Sequence, residues 1–283
     1  MRYQPCILCN GDTFFIISSR NRANENIPIV VCKNCSLVQV NPRQDEQYYE
    51  NYYRKEYQQI QNADKENLLK KSLTHALRRA SFLEEEIDLS NKTILDVGCS
   101  CGEFLKLVSS YAKRAVGIEP DKTFAEYGRN HYELDIFSGS LKKYINTCGT
   151  ERFDIVTLFT VIEHVHSPLS FLRHARKVLK ENGLLILEFP EIFGLLKSIK
   201  DKRKLSSMFS RHHLQYFSKN TINRILKLAG FDLIKVIRPK SKYLLAIAHS
   251  KDIKNECDKS RDSLLLLLSM VLSWKIKDAV LAI

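Results

Sequence analysis

The sequence predicts an α/β protein built on a doubly wound, seven-stranded sheet with an antiparallel last strand, plus a small cysteine-rich ribbon before it and an apolar helical tail after it. Five short apolar runs alternate with helical patterns between residues 93 and 190, which is typical of a parallel sheet covered by helices on both faces. Two final runs, FDLIKVI and YLLAIAHS, are separated only by RPKSK. That connection is too short for a crossover helix, so it predicts an antiparallel hairpin.

The composition is that of a globular protein with an excess of basic residues. The chain has 283 residues, is 44% hydrophobic and carries a formal net charge of +12. Such a charge favours anionic partners, among them nucleotide-activated metabolites, nucleic acid and anionic membranes, although a solvated basic surface without a specific partner is an equal alternative. Because no apolar secretion signal opens the sequence, we expect a cytoplasmic protein with reduced cysteines.

Two C-x-x-C pairs near the amino terminus predict a metal site. The pairs are separated by 22 residues and contribute Cys6, Cys9, Cys32 and Cys35. Four thiolates satisfy the tetrahedral preference of structural zinc and leave no position open for a substrate. The segment between the pairs is rich in Phe, Ile and Val, which predicts two short strands of a zinc ribbon. About forty residues cannot build a sufficient core alone, so the metal is expected to stabilise their fold.

Changes of pattern along the chain predict four parts. They are a zinc ribbon at 1–42, a helical lid or linker at 43–91, the sheet domain at 92–250 and an apolar helical tail at 251–283. The second part has tyrosines at helical spacing, namely Tyr48, Tyr49, Tyr52, Tyr53 and Tyr57. It continues into an amphipathic helix whose apolar face comprises Leu68, Leu69, Leu73, Ala76, Leu77, Ala80, Leu83 and Ile87.

The composition of the tail predicts a helix that packs on protein and does not insert into a membrane. Its uncharged run, Ser263 to Trp274, is far shorter than the roughly 20 residues of a transmembrane helix. We therefore expect it to cover the sheet domain or a second copy of the chain, which would make the protein a homo-oligomer.

The stretch LDVGCSCGEFL allows three interpretations: a nucleophile turn around Ser100, a metal site at Cys99 and Cys101, or a turn that holds a cofactor. A hydrolase needs an oxyanion-hole segment upstream, and the sequence has none. The C-x-C spacing argues against a metal site. A cofactor turn requires an acidic residue about 20 positions later, at the end of the next strand, and Glu119 in VGIEP meets this requirement. We therefore favour a nucleotide-binding βαβ unit.

Taken together, five segments resemble class I S-adenosylmethionine-dependent methyltransferases. These segments are ILDVGCSCGEFL, VGIEP, FDIVTLFTVIEHVHSP, VLKENGLLILEFP and HHLQYFSKNTINRILKLAGF. The resemblance covers residues 93 to 250 and implies a Rossmann-like fold with S-adenosylmethionine as cofactor. The cysteine ribbon and the tyrosine-rich segment also resemble methyltransferases in which a four-Cys zinc motif precedes the catalytic domain, several of which act on sugars or other small metabolites.

The resemblance implies a set of cofactor-binding residues. Asp96, Gly98, Ser100 and Gly102 would hold the methionine end of the cofactor, and Glu119 would accept hydrogen bonds from the ribose hydroxyls. Further residues would border the adenine and the sulfonium; they are Gly139, Ser140, Leu141, Phe159 and Thr160. The family usually has Gly where this chain has Ser100, which puts some of the affinity for the cofactor in question.

Candidate catalytic residues follow the fourth strand. Glu163 and His164 are placed to remove a proton from the acceptor, with His213 as a further candidate base; a structural role for His164 is an equal alternative. Related quinone O-methyltransferases bind a metal through such a Glu-His pair and an acidic residue three positions before the Glu. That position here is Thr160, so the resemblance predicts no second metal.

Three functions remain in competition at this point. The first is methylation of a small-molecule acceptor, such as an activated sugar or polysaccharide precursor. The second is RNA methylation using the ribbon and the basic surface, although FTVI stands where amino-methylating nucleic-acid enzymes often have an N-P-P-Y-like tetrapeptide. The third is an inactive cofactor-binding scaffold. A basic stretch would bind phosphates of either kind of substrate; it contains Lys197, Lys200, Lys202, Arg203, Lys204 and Arg211.

Overall fold

A computed structural model describes most of the chain. The described residues are 3–49, 51, 65–149, 151–198, 205–238, 242–250, 265, 267–269 and 271. Tyr52, Tyr53 and Tyr57, together with most of the basic stretch and of the tail, lie outside them. The predicted four-part division of the chain stays a prediction.

The main sheet has seven strands, and the predicted fold class is confirmed. Its strands lie in the order β10-β11-β8-β7-β4-β5-β6, and β4, β5, β6, β7 and β8 pair in parallel. Their bounds are β4 Thr93–Val97, β5 Arg114–Glu119, β6 Asp135–Ser138, β7 Phe153–Phe159, β8 Leu179–Pro190, β10 Phe231–Ile237 and β11 Tyr243–Ser250. The predicted hairpin is also confirmed, since β10 and β11 are antiparallel and β11 pairs with β8.

Helices connect the parallel strands and cover the sheet. Seven α-helices have both ends in the described ranges: α1 Lys65–Glu86, α2 Glu103–Val108, α3 Lys122–Tyr132, α4 Leu141–Cys148, α5 Pro168–Lys177, α6 Ile192–Ser198 and α7 Lys219–Ala229. Side chains cap several of their amino termini; Asp121, for example, accepts the Thr123 and Phe124 N–H groups. The central strands are buried on both faces, as their continuous apolar sequences predict.

The amino-terminal ribbon forms a second sheet that includes a strand from the sheet domain. Its own strands are β1 Phe14–Ser18, β2 Ile29–Cys32 and β3 Val38–Val40. A fourth strand, β9 Gln215–Tyr216, pairs with β3 although it lies about 175 residues further along the chain. The ribbon is therefore joined by backbone pairing to the segment that follows β8.

The apolar face of α1 is narrower than predicted. Ala76, Ala80 and Leu83 are buried, whereas Leu73 and Leu77 are about half exposed. The buried residues repeat at i, i+4 and i+7 and contact the core beside β4, because only that line of the helix faces the sheet. Leu73 and Leu77 are a correction to the sequence prediction.

The described part of the tail packs on its own chain. Leu267 and Val271 are buried in a cluster with ribbon residues and with Leu195 of α6. This agrees with packing of the tail on the domain, while a homo-oligomer stays a prediction. In the part of the chain that the structure describes, no helix is both long and apolar enough to cross a membrane.

Candidate active site

The turn after β4 has the open backbone that its glycines predict. Gly98, Ser100 and Gly102 all have positive φ, at 79°, 54° and 89°. A Cβ on Gly98 would lie 2.6 Å from Val161, and one on Gly102 would lie 2.5 Å from Leu134. Glycine is needed at both positions because any side chain would be strained and would also collide with its neighbour.

Glu119 ends β5 directly beside this turn. Its carboxyl group accepts the N–H of Ser100 at 2.9 Å and the N–H of Asp121 at 2.8 Å. The side chain is buried, and desolvation raises the pKa of Glu119 to about 7 against the lowering effect of these two hydrogen bonds. The predicted ribose-binding residue is thus fixed next to the Gly-rich turn by the backbone itself.

Asp96 lies on β4 beside the neighbouring strand β7. It accepts a 2.6 Å hydrogen bond from the Thr157 hydroxyl, and burial raises its pKa to about 6. The parallel pairing of β4 with β7 sets this contact, since Asp96 and Thr157 are partners in the register. Asp96 and Glu119 therefore occupy the carboxyl ends of adjacent strands, where ligands bind in open α/β sheets.

The three residues after β6 lie at the next position along the same edge. The Gly139 N–H donates to the Glu119 carbonyl at 2.9 Å. Ser140 caps α4 by accepting the Lys143 N–H, and Leu141 is buried. The Gly139 hydrogen bond thus holds this segment beside Glu119.

Phe159 and Thr160 end β7 on the other side of the turn. Phe159 packs edge-on against Phe104 with ring centroids 4.9 Å apart, and the Arg79 guanidinium lies 4.6 Å from the Phe159 ring centroid. Thr160 has φ 56° and donates its N–H to the Glu188 carbonyl at 2.7 Å.

Sequence reasoning missed a buried ion-pair network at this end of the sheet. Glu188, near the end of β8, accepts hydrogen bonds from Arg78 at 2.7 Å and Arg79 at 2.9 Å. The sequence does contain a sign of this network: Arg78 and Arg79 are adjacent on the amphipathic helix, and Glu188 lies near the end of an apolar strand. Because a buried carboxylate needs a cationic partner, this network fixes α1 over the site.

The three candidate bases come together after β7. Glu163 and His164 are neighbours in the loop, and the rings of His164 and His213 lie 4.8 Å apart. Burial raises the pKa of Glu163 to about 8 and lowers that of His164 to about 4. Burial also lowers the pKa of His213 well below its usual value. Burial therefore favours the neutral form of each of these three groups.

A buried arginine connects the two loops that carry these residues. Arg43 donates to the His166 carbonyl at 3.2 Å, to the Leu214 carbonyl at 3.0 Å and to the Val40 carbonyl at 3.2 Å. Gln215 adds hydrogen bonds to the Ile162 and Val165 carbonyls, at 2.6 and 3.0 Å. No motif marks Arg43, because two of its acceptors, the His166 and Leu214 carbonyls, come from distant segments of the chain.

The four ribbon cysteines also come together. Their sulfur atoms lie within 4.8 Å of one another, with 3.5 Å between Cys6 and Cys35 and 3.5 Å between Cys9 and Cys32. Four sulfurs around one zinc ion with bonds of about 2.3 Å would be about 3.8 Å apart. The donor set and its spacing therefore fit zinc.

Of the basic stretch, only its ends are described. Arg211 forms an ion pair with Glu25 of the ribbon. Lys200, Lys202, Arg203 and Lys204 lie outside the described residues, so a phosphate-binding role for the stretch stays a prediction.

The sheet is doubly wound, and acidic residues lie at the ends of two adjacent strands with a Gly-rich turn between them. This combination is typical of enzymes that bind a nucleotide cofactor. The family model for the methyltransferase domain matches residues 65–236. This chain belongs to that family and is an S-adenosylmethionine-dependent methyltransferase. The resemblance inferred from the sequence is thereby confirmed.

Curated relatives are O-methyltransferases. The chain is 24% identical to a ubiquinone biosynthesis O-methyltransferase of Coxiella burnetii, over 65% of this chain and 78% of the relative. A protein of the same name from Glaesserella parasuis is 30% identical over 41% of this chain and 52% of its own length.

Solved structures share the fold. The 1,6-didemethyltoxoflavin N1-methyltransferase of Burkholderia thailandensis, solved with S-adenosylhomocysteine, has a TM-score of 0.56 and 14% identity, covering 76% of this chain and 96% of that one. The magnesium protoporphyrin IX methyltransferase of Synechocystis, also solved with S-adenosylhomocysteine, has a TM-score of 0.53 and 14% identity, covering 73% and 98%. At this identity the likeness supports the fold alone.

Proposed function

We propose that this enzyme transfers the methyl group of S-adenosylmethionine to a small-molecule acceptor that binds between the loop after β7 and the loop before β9. The observation that carries this proposal is the position of Glu119, buried at the end of β5 with its carboxyl group fixed beside a turn of positive φ. The turn has no side chain at Gly98 or Gly102, so a ligand can come close to its backbone.

In the proposed complex each group of the cofactor has a partner. Asp96 and the turn at Gly98, Ser100 and Gly102 hold the methionine end, and Glu119 accepts hydrogen bonds from the ribose hydroxyls. The adenine lies against Gly139, Ser140 and Leu141, and the sulfonium lies beside Phe159 and Thr160. The cofactor supplies an electrophilic methyl group, and the protein places the acceptor in line with it; such positioning can lower the barrier by several kcal/mol.

The acceptor is proposed to carry a hydroxyl group. Glu163, His164 and His213 are the groups that would bind this oxygen and assist the loss of its proton. Activated sugars and polysaccharide precursors are the class to test first, because the net charge of +12 favours anionic metabolites. RNA is the contrasting substrate in the same assay, and its binding would depend steeply on salt.

The ribbon is proposed to hold a structural zinc ion on Cys6, Cys9, Cys32 and Cys35. Their mutual sulfur distances support this assignment. Thiolates persist in a reducing compartment, so we place the enzyme in the cytoplasm.

The first experiment is calorimetric titration with S-adenosylmethionine of the wild type and of Glu119→Ala. Hydrogen bonds to a charged group contribute about 1.5–3 kcal/mol each, so the variant should bind the cofactor at least about tenfold more weakly. Glu126→Ala is the matched control, because Glu126 lies on α3, the helix that follows β5, and is about half exposed. Equal loss in both variants, or no loss in Glu119→Ala, would contradict the assigned site.

A further inference from the structure

Glu163 is a buried carboxyl group without a hydrogen-bond donor. Its side chain is 1% exposed, and neither carboxyl oxygen has a hydrogen-bond partner among the residues that the structure describes. Leaving such a group unsatisfied is costly. A cationic ligand of the carboxylate would remove this cost.

His164, the residue after Glu163, has the arrangement of a metal ligand. His164 Nδ1 lies 3.1 Å from the His212 carbonyl oxygen, and only a protonated Nδ1 can donate to it. The Nε2 atom then carries the lone pair, and it lies 3.9 Å from Glu163 Oε1. A backbone carbonyl that fixes one ring nitrogen while the other faces a carboxylate is the arrangement that supports histidine ligands of metal ions.

A third ligand comes from a distant segment. His213 follows His164 by 49 positions, yet one ligand atom from each of Glu163, His164 and His213 lies within 4.8 Å of the other two. A hydrogen bond from the Leu214 N–H to the Glu163 carbonyl, 2.9 Å long, holds the two segments together. The resemblance to quinone O-methyltransferases predicts no second metal, because Thr160 stands where those enzymes have an acidic ligand. In the folded chain, His213 lies close enough to Glu163 and His164 to be the third ligand instead.

We propose that Glu163, His164 and His213 bind one divalent first-row transition-metal ion, separate from the four-cysteine site. Two imidazoles and one carboxylate suit Zn²⁺, Co²⁺, Mn²⁺ or Fe²⁺, whereas Mg²⁺ and Ca²⁺ prefer oxygen ligands alone. Bonds of about 2.0–2.2 Å require ligand atoms about 3.4 Å apart. Small side-chain rotations close the remaining gap.

Three protein ligands leave at least one coordination position open, as in catalytic and unlike structural metal sites. In that position the ion would hold the acceptor oxygen; this role rests on the proposed function, whereas metal binding itself does not. The Glu163 and His213 loops are already fixed by Arg43 and Gln215, so the ligands need little reorganisation.

The test is a titration with Co²⁺ of full-length protein whose ribbon is filled with zinc. We expect one further equivalent of Co²⁺ to bind and to give weak visible d–d absorption without the intense near-ultraviolet band of cobalt thiolates. Glu163→Gln and His213→Gln should each weaken this binding at least tenfold. His166→Gln is the matched control, because this partly buried histidine lies in the same loop and its ring faces the Gln44 carbonyl.

The result that overturns the proposal is the absence of a second Co²⁺ equivalent in the wild type. A thiolate band, or affinity unchanged in both ligand variants, would overturn it as well, because the cobalt would then be elsewhere. Thermal denaturation shows whether each variant is folded, and the wild-type titration decides the matter even where a variant is not. S-adenosylmethionine titration of the same samples reports on the proposed function separately, since none of the three ligands lies among the assigned cofactor residues.

Discussion

At the scale of single residues, the carboxyl groups of the site are costly to bury and are held by specific donors. Glu119 accepts two backbone N–H groups, and Asp96 accepts the Thr157 hydroxyl. Burial nevertheless raises the pKa of both carboxyl groups. Burial thus favours the neutral forms of both groups, and hydrogen bonds donated by the ribose hydroxyls of the proposed cofactor would favour the charged form of Glu119.

The first prediction concerns Glu119 and pH. Its pKa is about 7 in the folded protein, whereas the ordinary pKa of a glutamic acid side chain is 4.5, so between these values the folded state holds a proton that the unfolded state has released. The contribution to the free energy of unfolding is thus present below about pH 4.5 and is lost as the pH rises through about 7. Without cofactor, the wild type should lose on the order of 1–3 kcal/mol relative to Glu119→Gln across this window.

Denaturant unfolding of both proteins at several pH values measures this difference. The glutamine stays neutral at every pH, so the substitution itself changes the free energy of unfolding by a constant amount. Only the change of the stability difference with pH reports the titration of Glu119. Asp96 titrates in both proteins, and its charge raises the pKa of Glu119, so the difference between the two proteins reports Glu119 together with its interaction with Asp96. Parallel stability curves would show that Glu119 has the same pKa folded and unfolded.

At the scale of elements, the ribbon and the sheet domain share a strand. The pairs Val38–Tyr216 and Gln39–Gln215 join β3 to β9, and β9 follows His213 directly. Ribbon residues Cys6, Cys32 and Cys35 also lie in the same buried cluster as strands of the large sheet. Loss of the ribbon fold should therefore reach the candidate active site.

The second prediction is that Cys35→Ser destabilises the whole protein. Loss of one thiolate weakens a metal site that stabilises the ribbon, and a loss of several kcal/mol lowers the melting temperature by roughly 10 °C at about 2–4 °C per kcal/mol. Faster hydrogen exchange should appear in 205–216 as well as in the ribbon. Zinc content, melting temperature and hydrogen exchange are the measurements.

Cys148→Ser is the matched control, because Cys148 is a partly buried cysteine outside the four-cysteine group. The variant should keep its zinc and its melting temperature. If Cys35→Ser also kept one zinc ion per chain and the wild-type melting temperature, the ribbon assignment would be wrong.

At the scale of the whole molecule, Arg43 joins segments that lie more than 100 residues apart. Its guanidinium is buried, and burial lowers its pKa to about 10. It donates hydrogen bonds to three backbone carbonyls and to the Gln39 side-chain oxygen. Arg43 thereby fixes the end of the ribbon to the loops that carry Glu163, His164 and His213.

The third prediction is that Arg43→Met lowers the free energy of unfolding by roughly 2–4 kcal/mol, since each buried acceptor left unpaired costs about 1–3 kcal/mol. Denaturant unfolding measures the change, and Arg173→Met, on an exposed arginine of α5, should change stability by less than about 0.5 kcal/mol. Binding of S-adenosylmethionine should stay near the wild-type value, because Asp96 and Glu119 lie on other elements. Equal stability of the two variants would show that other groups hold the loops together.

The sequence by itself determined the parts that depend on local pattern. Alternating apolar runs specify the parallel sheet, because each strand and each helix must bury its own apolar face. The spacing of Asp96, Gly98, Gly102 and Glu119 specifies one βαβ unit, and the doubled C-x-x-C spacing brings two thiolates together at each turn.

Only the tertiary structure decided the contacts between distant segments. It brought His213 beside Glu163 and His164, paired β9 with the ribbon, placed Arg43 between three loops and exposed Leu73 and Leu77 on α1. These outcomes depend on loop paths and on which faces meet in three dimensions. No periodicity within a short window carries that information, so the sequence named Glu163, His164 and His213 as candidates, whereas the fold decided that they lie together.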